Sequence, residues 1–217
     1  MSEQRDVVAL QRPATMTDAL VDDLRAAILT GEFAPGEHLH QAQLAQRYGV
    51  SRIPLRDALI RLAGDGLVEI DQRRNARVTK LNVDDVREIY DVRMALEPMA
   101  AKRAVERIDD GQALHLAQLG ETMDHFADDP VVGQRSRRAF YDELYRLSGS
   151  PRIHGVIMRM RDEVTRYHLN THRHAEGAHL ALRRAIVDRA ADAAARIVAE
   201  HLEVSRDDLI AWLERHT

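Results

Sequence analysis

Two arginines, Arg52 and Arg56, lie in the N-terminal half of a predicted short helix and carry the most specific chemistry in this sequence. A guanidinium can donate two parallel hydrogen bonds to O6 and N7 of guanine, or it can hold a phosphate oxygen. A second pair, Arg73 and Arg74, offers the same chemistry further along the chain. Residues of this type can recognise double-stranded nucleic acid.

The helix that carries Arg52 is the second of two short helices predicted within residues 41–68. Gly49 supplies the left-handed backbone conformation that ends the first helix. Ser51 is the predicted N-cap of the second helix, and Pro54 is tolerated in its first turn because amides there have no intrahelical partner. Two helices joined by such a turn are typical of a helix-turn-helix.

The second helix has a predicted buried back and an open front. Four apolar residues at helical spacing form the buried stripe: Leu55, Ala58, Leu59 and Leu62. The opposite side carries Ile53, Arg56, Asp57, Ile60 and Arg61. A helix with a packed back and arginines at its N-terminal end fits the major groove of DNA. An ordinary surface helix with arginines would show the same periodicity, so this pattern alone leaves both interpretations open.

A hairpin is predicted directly after this helix. Gly66 ends the helix, residues 67–70 and 76–79 have the pattern of short strands, and residues 71–75 form the turn between them. The second arginine pair would lie at the tip of the hairpin. A helix-turn-helix followed by such a wing predicts a winged helix-turn-helix that binds DNA.

Three stretches, LRAAILTGEFAPGEHL, LAQRYGVSRIPLRDALIRLAGDGLVE and RRNARV, resemble the N-terminal domain of GntR-family transcription regulators. The resemblance implies a DNA-binding role for residues of the recognition helix and the wing: Ser51, Arg52, Ile53, Arg56, Arg73, Arg74 and Asn75. Two positions depart from the family's pattern. Asn75 stands where glycine is usual at the wing tip, and Ala42 stands where several relatives have an arginine that contacts DNA. We therefore expect an operator different from theirs.

The composition suits a globular chain: of 217 residues, 45% are hydrophobic, 30% are charged and none is cysteine. No apolar run approaches the roughly 20 residues needed to span a bilayer, and no signal-peptide pattern is present. We expect a cytoplasmic protein with no membrane partner. The formal net charge is −4, yet residues 47–80 hold eight Lys or Arg against four Asp or Glu. A basic segment on an acidic chain fits a DNA-binding unit joined to a unit of another purpose.

We predict a mainly α protein in three parts: an arm of residues 1–16, a winged helix-turn-helix of residues 17–80, and an all-α bundle of about six helices in residues 84–217. Thr17 is the expected N-cap of the first helix. Asp84 is expected to cap the first bundle helix, and Asp192 the last. The predicted bundle helices span residues 84–107, 113–126, 134–147, 153–170, 178–189 and 192–215.

The second half has a resemblance of its own. EIYDVRMALEPMAAKRA, FYDELYRLSGSP and HLALRRAI with AEHL are similar to the FCD effector-binding domain of the FadR branch of the GntR family. No extra helix is evident between the wing and the bundle, so the six-helix, VanR-like type is the better match. The resemblance implies a domain that binds a small effector and forms a dimer.

Many FCD domains bind a divalent metal through an Asp and a His four residues apart and two later histidines. His179 and His201 match the later pair, whereas Arg137 and Tyr141 stand at the first two positions. A guanidinium cannot ligate a cation and would repel it.

Three interpretations of this site stay open. In the first, no cofactor is bound and Arg137 grips an anionic group of the effector, with Tyr141, His179 and His201 as donors. In the second, a metal such as zinc, nickel or manganese is held by the two histidines and a third: His168, His172 or His174. In the third, these residues are merely satisfied in a polar core or at the surface. Arg93 is a further candidate for an effector carboxylate, unless it forms an internal salt bridge with Glu97 four residues on.

The sequence therefore predicts a ligand-responsive transcription regulator, with repression as the expected mode. It would bind a palindromic DNA operator as a homodimer and respond to a small, carboxylate-type anionic metabolite. The alternative is a metal-dependent hydrolase within the helical bundle. Against that alternative, the sequence has no nucleophile elbow, no phosphate loop and no HExxH motif.

Overall fold

The computed structural model describes residues 15–72, 75–127, 129, 131–171 and 178–216. Its architecture is mainly α, with a winged helix-turn-helix followed by an all-α bundle, so the predicted fold class is confirmed. The buried apolar side chains form two separate groups, one from Leu20 to Val78 and one from Leu81 to Leu213. None of the described helices is both long enough and apolar enough to cross a bilayer.

Helix α1 spans Met16–Leu29, and its N-cap is Thr15 rather than the predicted Thr17. The Thr15 hydroxyl accepts a hydrogen bond from the Asp18 amide at 3.2 Å, and the Asp18 carboxylate accepts one from the Thr15 amide at 2.7 Å. This reciprocal pair is a capping box, which requires an acidic or amide side chain three residues after the cap. Because Asp18 follows Thr15 by three, that spacing favours Thr15.

The winged helix-turn-helix continues with strand β1 (His38–Leu39), helix α2 (Gln41–Arg47), helix α3 (Arg52–Gly64), strand β2 (Val68–Ile70) and strand β3 (Ala76–Val78). The strands form an antiparallel sheet in the order β1-β3-β2. Gly49 has φ 64° between α2 and α3, and Gly66 has φ 77° after α3, as both predicted turns require. Ser51 is the N-cap residue of α3, but its side chain makes no capping hydrogen bond.

Packing fixes the orientation of α3. Its predicted stripe is fully buried, at 0% exposure for each member: Leu55, Ala58, Leu59 and Leu62. Helices α1 and α3 are in contact, and α1 contributes Leu24 and Ile28 to the same group of buried side chains. The open face of α3 is therefore held rigidly toward solvent.

Six helices follow in the described part of the second half, as expected: α4 (Val83–Arg107), α5 (Asp110–His125), α6 (Val132–Arg146), α7 (Pro151–Thr171), α8 (Ala178–Val187) and α9 (Ala191–His216). Two predicted caps were wrong. Asn82 caps α4 and forms a capping box with Asp85, whereas Asp84 pairs with Arg87. Asp192 lies in the first turn of α9 rather than before it. In both cases the helix starts earlier than the predicted aspartate.

Candidate nucleic-acid interface and effector pocket

The recognition helix presents its two arginines to solvent. Arg52 and Arg56 are exposed, and among the described residues neither takes part in an ion pair. By contrast, Arg61 in the last turn of α3 contacts Asp18 of α1 at 2.5 Å. Ile53 lies between the two arginines in sequence and is 74% exposed. The N-terminal half of α3 thus offers two uncompensated cations and one apolar side chain.

The other described arginines of the first half are neutralised locally. Arg77 of β3 contacts Glu69 of β2 at 2.6 Å, and Arg47 pairs with Glu32. Because these carboxylates offset their charge, the local excess of positive charge is concentrated on α3 and, by sequence, on the wing tip.

The wing turn is closed by Asn75. Its backbone and side-chain amides both donate to the Asp71 carboxylate, each at 2.8 Å. Asn75 is a predicted DNA contact. Its partner Asp71 was not predicted, although an aspartate at the start of a turn is a known signal. Arg73 and Arg74 lie outside the described residues. Their contacts with DNA stay a prediction, as does that of Asn75.

An ionic network occupies the interior of the bundle around Glu97, which is 0% exposed. Its carboxylate accepts hydrogen bonds from Arg93 Nε at 2.6 Å, from Arg161 Nη1 at 2.7 Å and from the Tyr145 hydroxyl at 2.6 Å. The salt bridge weighed as the alternative role of Arg93 is therefore present. Burial opposes ionisation of Glu97, but the two guanidiniums outweigh it and keep the pKa of the carboxyl below its usual value.

Arg161 is a residue of this network that was not predicted from the sequence. Its guanidinium carbon lies 3.6 Å from the centre of the Tyr141 ring, in addition to its contact with Glu97. A signal was available: Arg161 follows Ile157 by four residues and precedes Val164 by three, and both of these are buried. A charged residue in phase with a buried stripe indicates an interior role.

Arg137 and Tyr141 lie one turn apart on α6, close to this network. Burial lowers the pKa of Arg137, and the nearby charge of Arg161 lowers it further. Burial raises the pKa of Tyr141, so its hydroxyl stays protonated and available as a donor. These two residues correspond to the first two metal-ligand positions of the FCD domain. Both lie in the neighbourhood of Arg161.

His179 and His201 come together as expected, with ring centres 5.6 Å apart. His179 Nδ1 lies 3.3 Å from an Asp124 oxygen, and Arg183 contacts the other oxygen of Asp124 at 3.1 Å. Burial, followed by the charges of His179, Arg161 and Arg93, lowers the pKa of His201 to about 3. His201 is therefore a neutral imidazole at neutral pH.

The donors placed by the structure do not by themselves make a metal site. Within the described ranges, no three side chains of His, Cys, Asp or Glu are grouped to hold an ion. His172 and His174, two of the proposed third ligands, lie outside those ranges, and the side chain of His168 does too. The charges of Arg161 and Arg93, which lower the pKa of His201, oppose a divalent cation beside that imidazole.

Comparison with known proteins decides the family. A family model for bacterial regulatory proteins of the gntR family matches residues 16–78, and a model for the FCD domain matches residues 88–204. The chain belongs to the GntR family. It is therefore a DNA-binding transcription regulator, and the resemblance noted in the sequence is confirmed.

Individual relatives of this GntR-family protein are also transcription regulators. It is 31% identical over 160 residues to the HTH-type transcriptional regulator YdhC of Bacillus subtilis, covering 72% of this chain and 71% of YdhC. It is 37% identical over 95 residues to the HTH-type transcriptional repressor RspR of Escherichia coli, covering 44% of this chain and 42% of RspR. The solved structure of E. coli McbR/YncC matches with a TM-score of 0.82 at 22% identity, covering 92% of this chain and 99% of that one. This last likeness concerns the fold.

The two halves of the GntR-family chain are joined by an ionic bridge. Asp162 of α7 is buried and accepts from Arg25 of α1 at 2.8 Å and from Arg138 of α6 at 3.1 Å. Arg25 also binds Asp65 at the end of α3. One guanidinium thus connects the recognition helix to a bundle helix.

Further contacts of α7, with the segment between β3 and α4 and with the turn after α3, support this bridge. The Tyr167 hydroxyl accepts from the Leu81 amide at 2.8 Å, and Arg166 donates to the Thr79 carbonyl. A Cβ added at Gly66 would lie 2.5 Å from the Glu163 side chain, so the turn after α3 closely approaches α7. None of these contacts was predicted from the sequence.

Proposed function

We propose that this protein is a ligand-responsive repressor that binds a palindromic operator as a homodimer and is controlled by a small anionic metabolite bound in the helical bundle. The observation that carries the effector part of the proposal is that two buried arginines, Arg93 and Arg161, share the single carboxylate of Glu97. The repressor RspR, to which part of the chain is similar, supports repression as the mode.

The DNA-binding half supplies the operator contacts. Helix α3 enters the major groove with Arg52 and Arg56 near base edges or phosphates, because their charges are uncompensated in the free protein. Ser51 can donate from the N-cap position, since its hydroxyl is not used in capping. Arg73 and Arg74 act from the wing. Ala42 cannot make the contact that an arginine makes in relatives.

The bundle supplies an anion site. Arg93, Arg137 and Arg161 bring three positive charges to an interior where Glu97 is the carboxylate that two of them share. One of the buried nitrogens of Arg93, Nη1, has no hydrogen-bond partner among the described residues. Coulomb interactions are stronger in such an interior than in water. A carboxylate- or phosphate-bearing metabolite therefore fits this site, with Arg137 supplying the charge that a metal would otherwise supply.

Operator binding by a homodimer places two recognition helices on two half-sites. The effector then acts by favouring one arrangement of the two heads, which requires that it bind the two states with different affinity. Helix α7 links the effector site to the recognition helix, since it carries both Arg161 and Asp162.

Selection of random double-stranded DNA on the purified full-length protein tests the proposal. We expect an enriched inverted repeat, bound with one dimer per repeat, and released by one of a panel of small carboxylates or phosphate esters. If no sequence is enriched, the proposal of a specific operator is wrong. If a monomer enriches a single, non-repeated site, the proposal that the protein binds DNA as a homodimer is wrong.

Replacing Arg56 by Ala should weaken binding to the selected operator by about 1–3 kcal/mol if the guanidinium reads a base, and should relax the preference at one position of each half-site. Fluorescence anisotropy with the selected operator and with single-base variants measures both effects. Arg61→Ala is the matched control, since it removes the same charge from the same helix where Asp18 already offsets it. If both variants lose the same operator affinity, Arg56 contributes only its positive charge and does not contact a specific base.

Replacing Arg137 by Ala should weaken binding of the active carboxylate or phosphate ester about 10- to 150-fold, as expected for loss of a hydrogen bond to a charged group. Calorimetric titration measures this. Arg135→Ala is the control, because Arg135 lies on the same helix and is exposed. Chelators should leave binding unchanged.

Elemental analysis of protein purified without added metal separates the anion site from the metal site. Near-stoichiometric zinc, nickel or manganese, lost when His179 and His201 are replaced by Ala, would overturn the anion site. It would support a metal held by these histidines and a third ligand instead.

A further inference from the structure

Ile53 has the most exposed large apolar side chain in the described part of the chain, at 74%, against 49% for Ile60 on the same helix. The family resemblance implies a DNA-binding role for Ile53 but does not say which chemical group of DNA it contacts. An exposed isoleucine can make no hydrogen bond to a phosphate or to a polar base edge. Its contribution to DNA recognition must therefore be apolar.

The position of Ile53 on α3 is fixed by its surroundings. It lies in the first turn, where the neighbouring Pro54 restricts the backbone. The side chain is β-branched, so its χ1 angle has few allowed values. The fully buried stripe that includes Leu55 prevents rotation of the helix. Ile53 is thus a rigid apolar group on the open face of a rigid helix.

Arg56 is the uncompensated cation about one helical turn further along that face. It follows Ile53 by three residues, which corresponds to about 4.5 Å along the helix axis. Successive base pairs of DNA are about 3.4 Å apart. If α3 enters the major groove, the two side chains therefore reach base pairs one or two steps apart.

The apolar feature that the major groove offers is the 5-methyl group of thymine. We propose that Ile53 recognises a thymine methyl in each half-site, one or two base pairs from the base contacted by Arg56. This inference rests on the proposed operator binding, because it assigns one contact within it. It makes Ile53 a specificity-determining residue that selects thymine over the other three bases.

Single replacement of thymine by deoxyuridine tests the inference, because it removes only the methyl group. Each thymine of one half-site of the selected operator is replaced in turn, and affinity is measured for the wild type, Ile53→Ala and Ile60→Ala. At one thymine we expect about fourfold weaker binding by the wild type and by Ile60→Ala, the ratio that burial of one methyl group predicts. Ile53→Ala should bind the thymine operator and its deoxyuridine version with equal affinity.

The outcomes distinguish this inference from the proposed function. Operator binding with the same sensitivity to deoxyuridine in the wild type and in Ile53→Ala would overturn thymine recognition and leave the regulator intact. If deoxyuridine at every thymine position leaves the affinity of the wild type unchanged, thymine recognition is likewise overturned and the regulator is left intact. Selection of no operator at all would overturn both. Ile53 is exposed, so Ile53→Ala should fold normally, which circular dichroism verifies.

Discussion

Replacing Glu97 by Gln should lower the free energy of unfolding by about 3–5 kcal/mol. The isosteric amide keeps the volume of the side chain but removes the negative charge that Arg93 and Arg161 share. Two buried guanidiniums would then lack their counter-charge, and the Tyr145 hydroxyl would lose a charged acceptor. Urea denaturation followed by circular dichroism measures the change, provided that the slope with urea is the same in both proteins.

Glu200→Gln is the matched control for this experiment. Glu200 is exposed on α9 and lies 3.8 Å from Arg196, so its loss should have no measurable effect on unfolding. A loss for Glu97→Gln as small as that of the control would mean that Arg93 and Arg161 are neutralised in another way. The anion site inferred from their surplus charge would then lose its support.

Acidification gives a second readout of the same carboxylate. The pKa of Glu97 is lower in the folded protein than its usual value, so its stabilising contribution is fully present above about pH 4.5. That contribution is lost as the pH falls toward the folded pKa. Glu97→Gln lacks it at every pH, so the difference in unfolding free energy between wild type and variant should shrink on acidification.

Replacing Asp162 by Asn should cost about 3 kcal/mol of unfolding free energy and should uncouple the effector from operator affinity. The carboxylate is 3% exposed and joins Arg25 of the DNA-binding half to Arg138 of the bundle. Without it, a shift of α7 is no longer transmitted to α1 through this ion pair. Operator affinity measured with and without saturating effector gives the coupling free energy for each variant.

Asp110→Asn is the control for the bridge. Asp110 binds Arg189 within the bundle and takes no part in the bridge, so its loss should leave the coupling unchanged. A double-mutant cycle of Arg25→Ala with Asp162→Asn should show an interaction free energy of about 0.5–3 kcal/mol. If the free-energy changes of the two substitutions are strictly additive and Asp162→Asn keeps the full coupling, the bridge does not transmit the effect of the effector to the DNA-binding half.

Local periodicity predicted the parts of the structure that depend on neighbours in sequence. The stripe that includes Leu55 and Leu62 faces the core, and Gly49 and Gly66 end their helices, because spacing and glycine conformation are local properties. The N-caps Thr15 and Asn82 were missed, although each begins a capping box that is visible in the sequence.

The candidate sites were less predictable for a physical reason. Periodicity indicates which face of a helix is buried, but not which side chains on other helices it meets. Arg25 and Asp162 are 137 residues apart in sequence, and nothing local connects them. Arg161 joins Glu97 only because α4 and α7 are neighbours in the bundle. The positions of Arg137 and His201 were assigned through resemblance to a family rather than through any pattern in the chain.

Helix α7 carries Arg161 and Asp162 side by side, and this adjacency limits how the protein can have evolved. Each residue added to a helix rotates the remainder of that helix by about 100°, so one insertion or deletion before Arg161 would turn both side chains away from their partners at once. Substitution at an exposed position such as Arg159 carries no such penalty. Exposed side chains of α7 can therefore change by point substitution, while the length of α7 between its start and Asp162 has to be inherited unchanged.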